Sequence, residues 1–231
     1  MAVILNIETS TNVCSVAVTA EGMVLTHFEN FEGQNHAALL SGYIKTCLDY
    51  LRDKEMTLDA VAVSIGPGSY TGLRIGLSEA KGLAYALNIP LIGIDTLQIM
   101  AVSVMFNHDI DPESLFVPMI DARRMEVYTA IYDMALNTRL APTPLILDET
   151  SYREWLDAGE KMIFFGNGSD KSKELLETHP GAHFIADIHP LAVDMMALAD
   201  RAFAQKQFLD LAYSTPTYLK EFQATKPKNL I

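Results

Sequence analysis

The sequence predicts an α/β protein of two lobes. Residues from Ala2 to Phe31 read as three successive strands, after which helical and strand patterns alternate as far as Val104. The same order then restarts in shorter pieces at Leu115. The chain has 231 residues and 49% hydrophobic content, enough to bury one large core or two smaller ones.

Ala2 to Ile7, Val13 to Thr19 and Met23 to Phe31 form the expected meander, broken by Thr9-Ser10-Thr11-Asn12 and by Glu21-Gly22, which have turn chemistry. His36, Leu39, Leu40, Tyr43, Ile44, Cys47, Leu48 and Leu51 then recur at spacings of three and four, the strongest helical periodicity in the chain. Asp59 to Ile65 is a short β-branched run ending at Gly66-Pro67-Gly68, a turn that bulkier residues would strain. Ser69 is placed to cap a helix running to about Leu87. Leu91 to Ile94 reads as a fifth strand, and Asp95 or Thr96 opens a helix to Val104. Three meander strands, a helix, a strand, a helix and a strand make an RNase H-like lobe.

The polar stretch from Asn107 to Ser114, with Pro112 inside it, marks a boundary. It divides an N-terminal lobe, residues 1–106, from a smaller C-terminal lobe, residues 107–220, that repeats the first. There Leu115 to Ile120, Glu126 to Asp133 and Arg139 to Ile146 are strands, followed by a helix near Tyr152 to Leu156, a strand from Met162 to Phe165 and a helix from about Ser169. His183 to Ala186 reads as a short strand and Ala192 to Gln205 as a helix. Residues 221–231 are expected to be a loose tail.

Seventeen Lys and Arg against 29 Asp and Glu give a net charge of −12, which repels nucleic acid at long range. Unaided RNA binding is therefore not expected. Cys14 and Cys47 are the only cysteines and fall within apolar patterns, as buried, reduced thiols do. No apolar run approaches the length of a membrane span and the chain opens directly on a strand, so neither membrane span nor signal peptide is expected, and a cytoplasmic location is.

The joint from Gly66 to Gly76 would leave backbone N–H groups and a partial positive charge at a helix start, which favours an anion or a carbonyl ligand. It lacks a Gly-Lys-Ser/Thr ending, and Gly66, Gly68 and Gly72 are spaced one residue too long for a dinucleotide fingerprint. A tight turn that merely places a helix is the plainer alternative. Glu8, Asp95 and Asp121 fall at strand ends, where carboxylates can gather Mg²⁺ for phosphoryl transfer or strand cleavage. That supports a metal-dependent phosphotransferase or an RNase H-like nuclease; a helix cap at Asp95 and a turn residue at Asp121 are the competing readings. Pro180 and Gly181 forbid the helix that would bring His179 and His183 onto one metal. On the second helix, Gly72, Gly76, Ala80 and Ala84 make a small-residue stripe that something must approach closely, either the same lobe or a second chain. A small-molecule module with a pocket between the lobes is a third possibility.

Several segments together resemble the TsaB family, also called YeaZ. They are Ile4 to Ser10, Gly66 to Gly76 with Ala80-Lys81-Gly82-Leu83-Ala84, Ile89 to Gly93, Asp121 to Tyr128, Gly166-Asn167-Gly168 and Pro216-Thr217-Tyr218-Leu219. The resemblance implies two RNase H-like lobes of the actin and sugar-kinase superfamily, the second reduced. It also implies a noncatalytic subunit in the synthesis of threonylcarbamoyladenosine at position 37 of tRNAs that read codons beginning with A. The implied partners are the catalytic subunit TsaD and the ATPase TsaE, with a homodimer in isolation, tRNA met only through the complex, and no membrane. No tightly bound cofactor is implied; ATP or ADP with Mg²⁺ would belong to the assembled complex. TsaD carries two metal-binding histidines four residues apart on the helix after its fifth strand, and Thr96 and Met100 stand at the matching places here. No catalytic or metal-binding residue is therefore assigned. The partner or dimer surface is expected on His36, Leu40, Tyr43, Ile44 and Cys47 of the first helix with Tyr70, Arg74, Leu77, Ser78 and Lys81 of the second. Contact with a nucleotide or the ATPase subunit is expected at Glu8, Thr9, Ser10, Gly66, Gly68 and Ser69.

Overall fold

The computed structural model describes residues 2–33 and 35–220; the tail expected at 221–231 lies outside the described residues. The chain builds two five-stranded sheets with the same wiring. In the first, β1 (Ile4–Glu8), β2 (Cys14–Ala20) and β3 (Met23–Asn30) form an antiparallel meander, and β4 (Ala60–Gly66) and β5 (Leu91–Asp95) add in parallel on the other side of β1, in the order β3-β2-β1-β4-β5. The second places β6 (Leu115–Asp121), β7 (Glu126–Tyr132), β8 (Thr138–Ile146), β9 (Met162–Phe165) and β10 (Ala182–Ile185) in the order β10-β9-β6-β7-β8, with the equivalent pairings. The two sheets share one RNase H-like strand order, repeated along the chain.

Helices α1 (His36–Asp53), α2 (Tyr70–Leu87) and α3 (Thr96–Asn107) follow β3, β4 and β5. In the second lobe α4 (Arg153–Leu156) has four residues and α5 (Ser169–Leu176) eight, where α1 and α2 have 18 each, so this lobe is the reduced one.

Strand alternation decides what each face buries. Leu5, Ile7, Val16, Val61 and Val63 pack against Leu40, Ile44, Cys47, Leu77 and Ala80 of α1 and α2. The opposite face, with Ile4, Ala17, Ala62 and Ile92, packs against α3 and α6 (Met196–Ala204). Both faces of β1 and β4 are covered, which explains their nearly unbroken apolar runs. Leu97, Met100 and Val104 of α3 also pack on Phe116, Ile120 and Tyr132 of the second sheet, so α3 is the wall shared by the two lobes.

The boundary expected at 106/107 lies in the last turn of α3, ahead of β6, and the last expected element lies on the first sheet. Ala192 N donates to Ser15 Oγ at 2.8 Å, and α6 lies on the first sheet. The chain then runs on along that lobe: Leu209 N donates to the Leu91 carbonyl and Thr217 N to the Ile65 carbonyl. The apolar pattern of Ala192 to Gln205 correctly indicates a helix but cannot indicate which sheet it covers. Cys14 and Cys47 are buried and unpaired, with thiols pushed up by burial to about 11 and about 12. No helix among the described residues is long and apolar enough to cross a membrane.

Candidate functional site

The glycine joint is a packing device before it is a ligand site. Thr9 Oγ1 donates to the Gly72 carbonyl at 2.8 Å, and Ser69 N donates to the Ser10 carbonyl at 2.6 Å, so the start of α2 is tied to the turn after β1. A Cβ at Gly68 would overlap the Ser10 carbonyl, one at Gly72 the Thr9 carbonyl, and one at Gly76 the Thr9 hydroxyl. Ala80 and Ala84 continue the stripe into the core between α2 and the sheet. The small-residue stripe is therefore filled by its own lobe. Ser69 caps α2 as expected, accepting from Gly72 N at 3.2 Å.

Of the residues expected to meet a nucleotide or the ATPase subunit, Glu8, Thr9 and Ser10 are completely buried. Gly66 is also buried, beneath the Thr217 carbonyl. Only Gly68 and Ser69 of that group reach the surface. Sequence reasoning treats a strand-end turn as open; here the turn is closed over by α2.

The three strand-end carboxylates are each engaged separately. Glu8 Oε1 accepts from Ser10 N at 2.5 Å, while Oε2 has no hydrogen-bond partner among the described residues. Burial pushes this carboxyl up to about 7, against the opposing pull of donors at Ser10, Ser64 and Thr9. Asp95 caps α3, accepting from Gln98 N at 3.0 Å, and burial raises it to about 6. Asp121 is a turn residue: it accepts from Arg123 N at 2.6 Å and pairs with Lys171 Nζ at 2.5 Å. Among the described residues no three His, Cys, Asp or Glu side chains stand close enough to hold a metal ion. The plainer readings of Asp95 and Asp121 hold, and a shared Mg²⁺ centre on the three carboxylates does not form.

The α1/α2 face divides into a floor and a rim. His36, Leu40, Ile44, Cys47 and Leu77, all expected to meet a partner, are buried within the lobe. Periodicity identifies the apolar side of a helix, and here that side faces the chain's own sheet. His36 Nε2 stands 3.2 Å from the Val13 carbonyl. Arg74 and Ser78 are exposed, and Tyr43, Tyr70 and Lys81 half-buried. Between the helices runs an open groove of about 790 Å³ with Ile44 in its floor and Tyr70, Arg74, Ser78 and Leu83 among its walls.

The rim is shaped by a segment that helix and strand patterns do not reveal. The Arg74 guanidinium stacks 4.0 Å from the Tyr70 ring centroid, and its Nε donates to Tyr218 Oη at 2.8 Å. The rings of Tyr70 and Tyr218 stand 5.1 Å apart, and Lys81 Nζ donates to the Ser214 carbonyl at 2.6 Å. The only sequence signal for this strap is Pro216-Thr217-Tyr218-Leu219, which carries a resemblance but no role. On α3, Thr96 and Met100 are buried, and a Cβ at Gly166 would overlap the Met100 methyl.

A family model described as TsaD: tRNA N6-adenosine threonylcarbamoyltransferase matches residues 30–229. The chain is 30% identical over 233 residues to the tRNA threonylcarbamoyladenosine biosynthesis protein TsaB of Escherichia coli (strain K12), covering 96% of each. It is 27% identical over 231 residues to the protein of the same name from Bacillus subtilis (strain 168), covering 96% of this chain and 95% of that one. Among solved structures, YeaZ from Pseudomonas aeruginosa superposes with a TM-score of 0.76 at 30% identity, over 95% of this chain and 100% of that one.

Proposed function

The chain belongs to the TsaB family of tRNA threonylcarbamoyladenosine biosynthesis proteins, and from that premise we propose that it is the noncatalytic scaffold of the transferring assembly, docking a TsaD-like subunit along α2. The observation that carries this is the Arg74 rim beside the groove. An arginine stacked on one aromatic ring and hydrogen-bonded to a second is already ordered, so little side-chain entropy remains to be lost when a partner covers it. Aromatic and arginine side chains beside an apolar depression are also the usual anchors of protein interfaces.

The lack of turnover in this chain alone has support at α3. Where the resemblance puts two imidazoles in the catalytic relative, Thr96 and Met100 face packed interior. A Mg²⁺ nucleotide would find Glu8 sealed in and Asp121 tied to Lys171, so ATP or ADP is assigned to surfaces completed in the assembly, with Gly68 and Ser69 as this chain's contribution. A TsaE-like ATPase joins through the TsaD-like subunit, and tRNA is engaged by the whole. In isolation, a second copy covers the groove.

Arg74→Glu, coexpressed with a TsaD homologue, should weaken complex formation by at least ~30-fold, as for the loss of an interface anchor, while lowering the melting temperature by no more than about 2 to 4 °C through the lost strap contact, so that the chain stays folded at the assay temperature. Undiminished complex formation would reject the surface. Leu77→Asp cannot serve as this test, because Leu77 is 4% exposed and a carboxylate there would break the lobe's own core.

A further inference from the structure

The turn between β6 and β7 holds Arg123 at φ 71° and Arg124 at φ 53°. A positive φ crowds the Cβ of any residue other than glycine, and glycine and asparagine accept it with least strain, so two successive arginines held there are strained. The turn is nonetheless rigidly built. Asp121 N donates to Asn167 Oδ1 at 2.9 Å, Ala122 N to the Glu126 carbonyl at 3.0 Å, and Leu147 N to the Met125 carbonyl at 2.7 Å.

Charge is concentrated at the same place. Lys171 lies 2.5 Å from Asp121 and also donates to the Glu126 carbonyl at 3.2 Å, and Lys220 Nζ lies 2.6 Å from Glu126 Oε2. These pairs satisfy the local carboxylates, leaving Arg123 and Arg124 exposed and in no ion pair among the described residues. On a chain of net charge −12, this is a positive island whose two exposed guanidinium groups stand on a strained, anchored turn. Strain held in place at an exposed turn points to function.

We propose that Arg123 and Arg124 contact RNA phosphates, making this hairpin the chain's own grip on tRNA within the assembly. The proposal rests on the reading of the chain as a subunit of a tRNA-modifying complex. The acidic remainder of the chain accounts for why the grip is useful only when other subunits supply most of the attraction.

The test pairs two double variants: Arg123→Gln with Arg124→Gln, and Arg123→Asn with Arg124→Gly. Fluorescence anisotropy would follow transcribed, labelled tRNA against the assembled complex over a range of salt, with assembly scored on the same samples by pull-down. Losing two phosphate contacts should lower the slope of log K against log salt by about 1.4 to 1.8 and weaken binding about ten- to thirtyfold at ~0.15 M salt. The Asn-Gly pair should do this while raising the melting temperature by about 2 to 4 °C, since it relieves the turn. A merely structural role predicts the stability change without the loss of RNA affinity. Unchanged affinity and slope in either variant would overturn the proposal. So would loss of the protein partner, which would make the hairpin a protein contact. If wild type itself fails to assemble, the scaffold reading falls, and the same comparison on the chain alone at ~0.02 M salt decides the RNA contact separately.

Discussion

Gly72→Ala should destabilise the chain by about 2 to 3 kcal/mol, an effect opposite in sign to that of the same substitution ten residues later. Both positions lie inside α2, where alanine is favoured over glycine by about 1 kcal/mol. At Gly82 nothing stands within 4 Å of the added methyl, so the propensity gain is unopposed and Gly82→Ala should raise the melting temperature by about 2 to 4 °C. At Gly72 the methyl would be driven into the Thr9 carbonyl, a backbone atom at the end of β1 that cannot rotate away. Either α2 lifts from the sheet, breaking the bond from Thr9 Oγ1 to the Gly72 carbonyl, or the turn after β1 shifts and loses the bond from Ser69 N to the Ser10 carbonyl. A fall of about 5 to 10 °C is expected on thermal unfolding. Because Arg74 stands two residues on, the same substitution should weaken partner binding below the melting transition. A Gly72→Ala protein as stable as wild type would mean that α2 does not sit this close to β1.

The pair also shows what the sequence conveys and what it withholds. The strands and long helices are legible from alternation, from short apolar or β-branched runs bounded by turn residues, and from spacings of three and four, because those patterns follow from backbone geometry. The four-residue stripe of Gly72, Gly76, Ala80 and Ala84 is equally legible as a demand for close approach. Which body makes the approach is not, since a neighbouring strand end and a foreign chain require the same small residues. Leu40, Ile44, Cys47 and Leu77 pose the same ambiguity, and burial in the lobe resolves it. The strap escapes the sequence for a different reason. Its Leu209 and Thr217 backbone bonds and its Tyr218 contact to Arg74 are long-range, and irregular backbone has no period to detect.

Stability should fall as pH rises from about 5 to about 8, and Glu8→Gln should remove much of that slope. Burial raises the Glu8 carboxyl from 4.5 to about 7, so the folded chain prefers it protonated. A carboxyl raised in this way contributes its full stability below its unfolded value and loses it as pH climbs through the folded one. For Glu8 the loss amounts to roughly 3 kcal/mol, at about 1.4 kcal/mol per pH unit across that window. Asp95 and Asp194, each raised by burial to about 6, act with the same sign at lower pH. The exposed carboxylates of Asp49, Asp111 and Asp148, held below their ordinary value by hydrogen bonds, act in the opposite direction only near pH 4 and below, where solvent screens them. Glutamine keeps the acceptor that meets Ser10 N and removes the charge, at the cost of placing an amide where Oε2 has no partner among the described residues. Urea unfolding at pH 5 and pH 8 should show wild type weaker at the higher pH and the variant's difference smaller by about 2 kcal/mol, the residue of the slope coming from Asp95 and Asp194. An identical slope in Glu8→Gln would mean that Glu8 is reached by water, and with it that the turn after β1 opens to solvent. That result would return Glu8 to the set of groups able to meet a ligand, so this one titration decides between a sealed structural carboxyl and an accessible one.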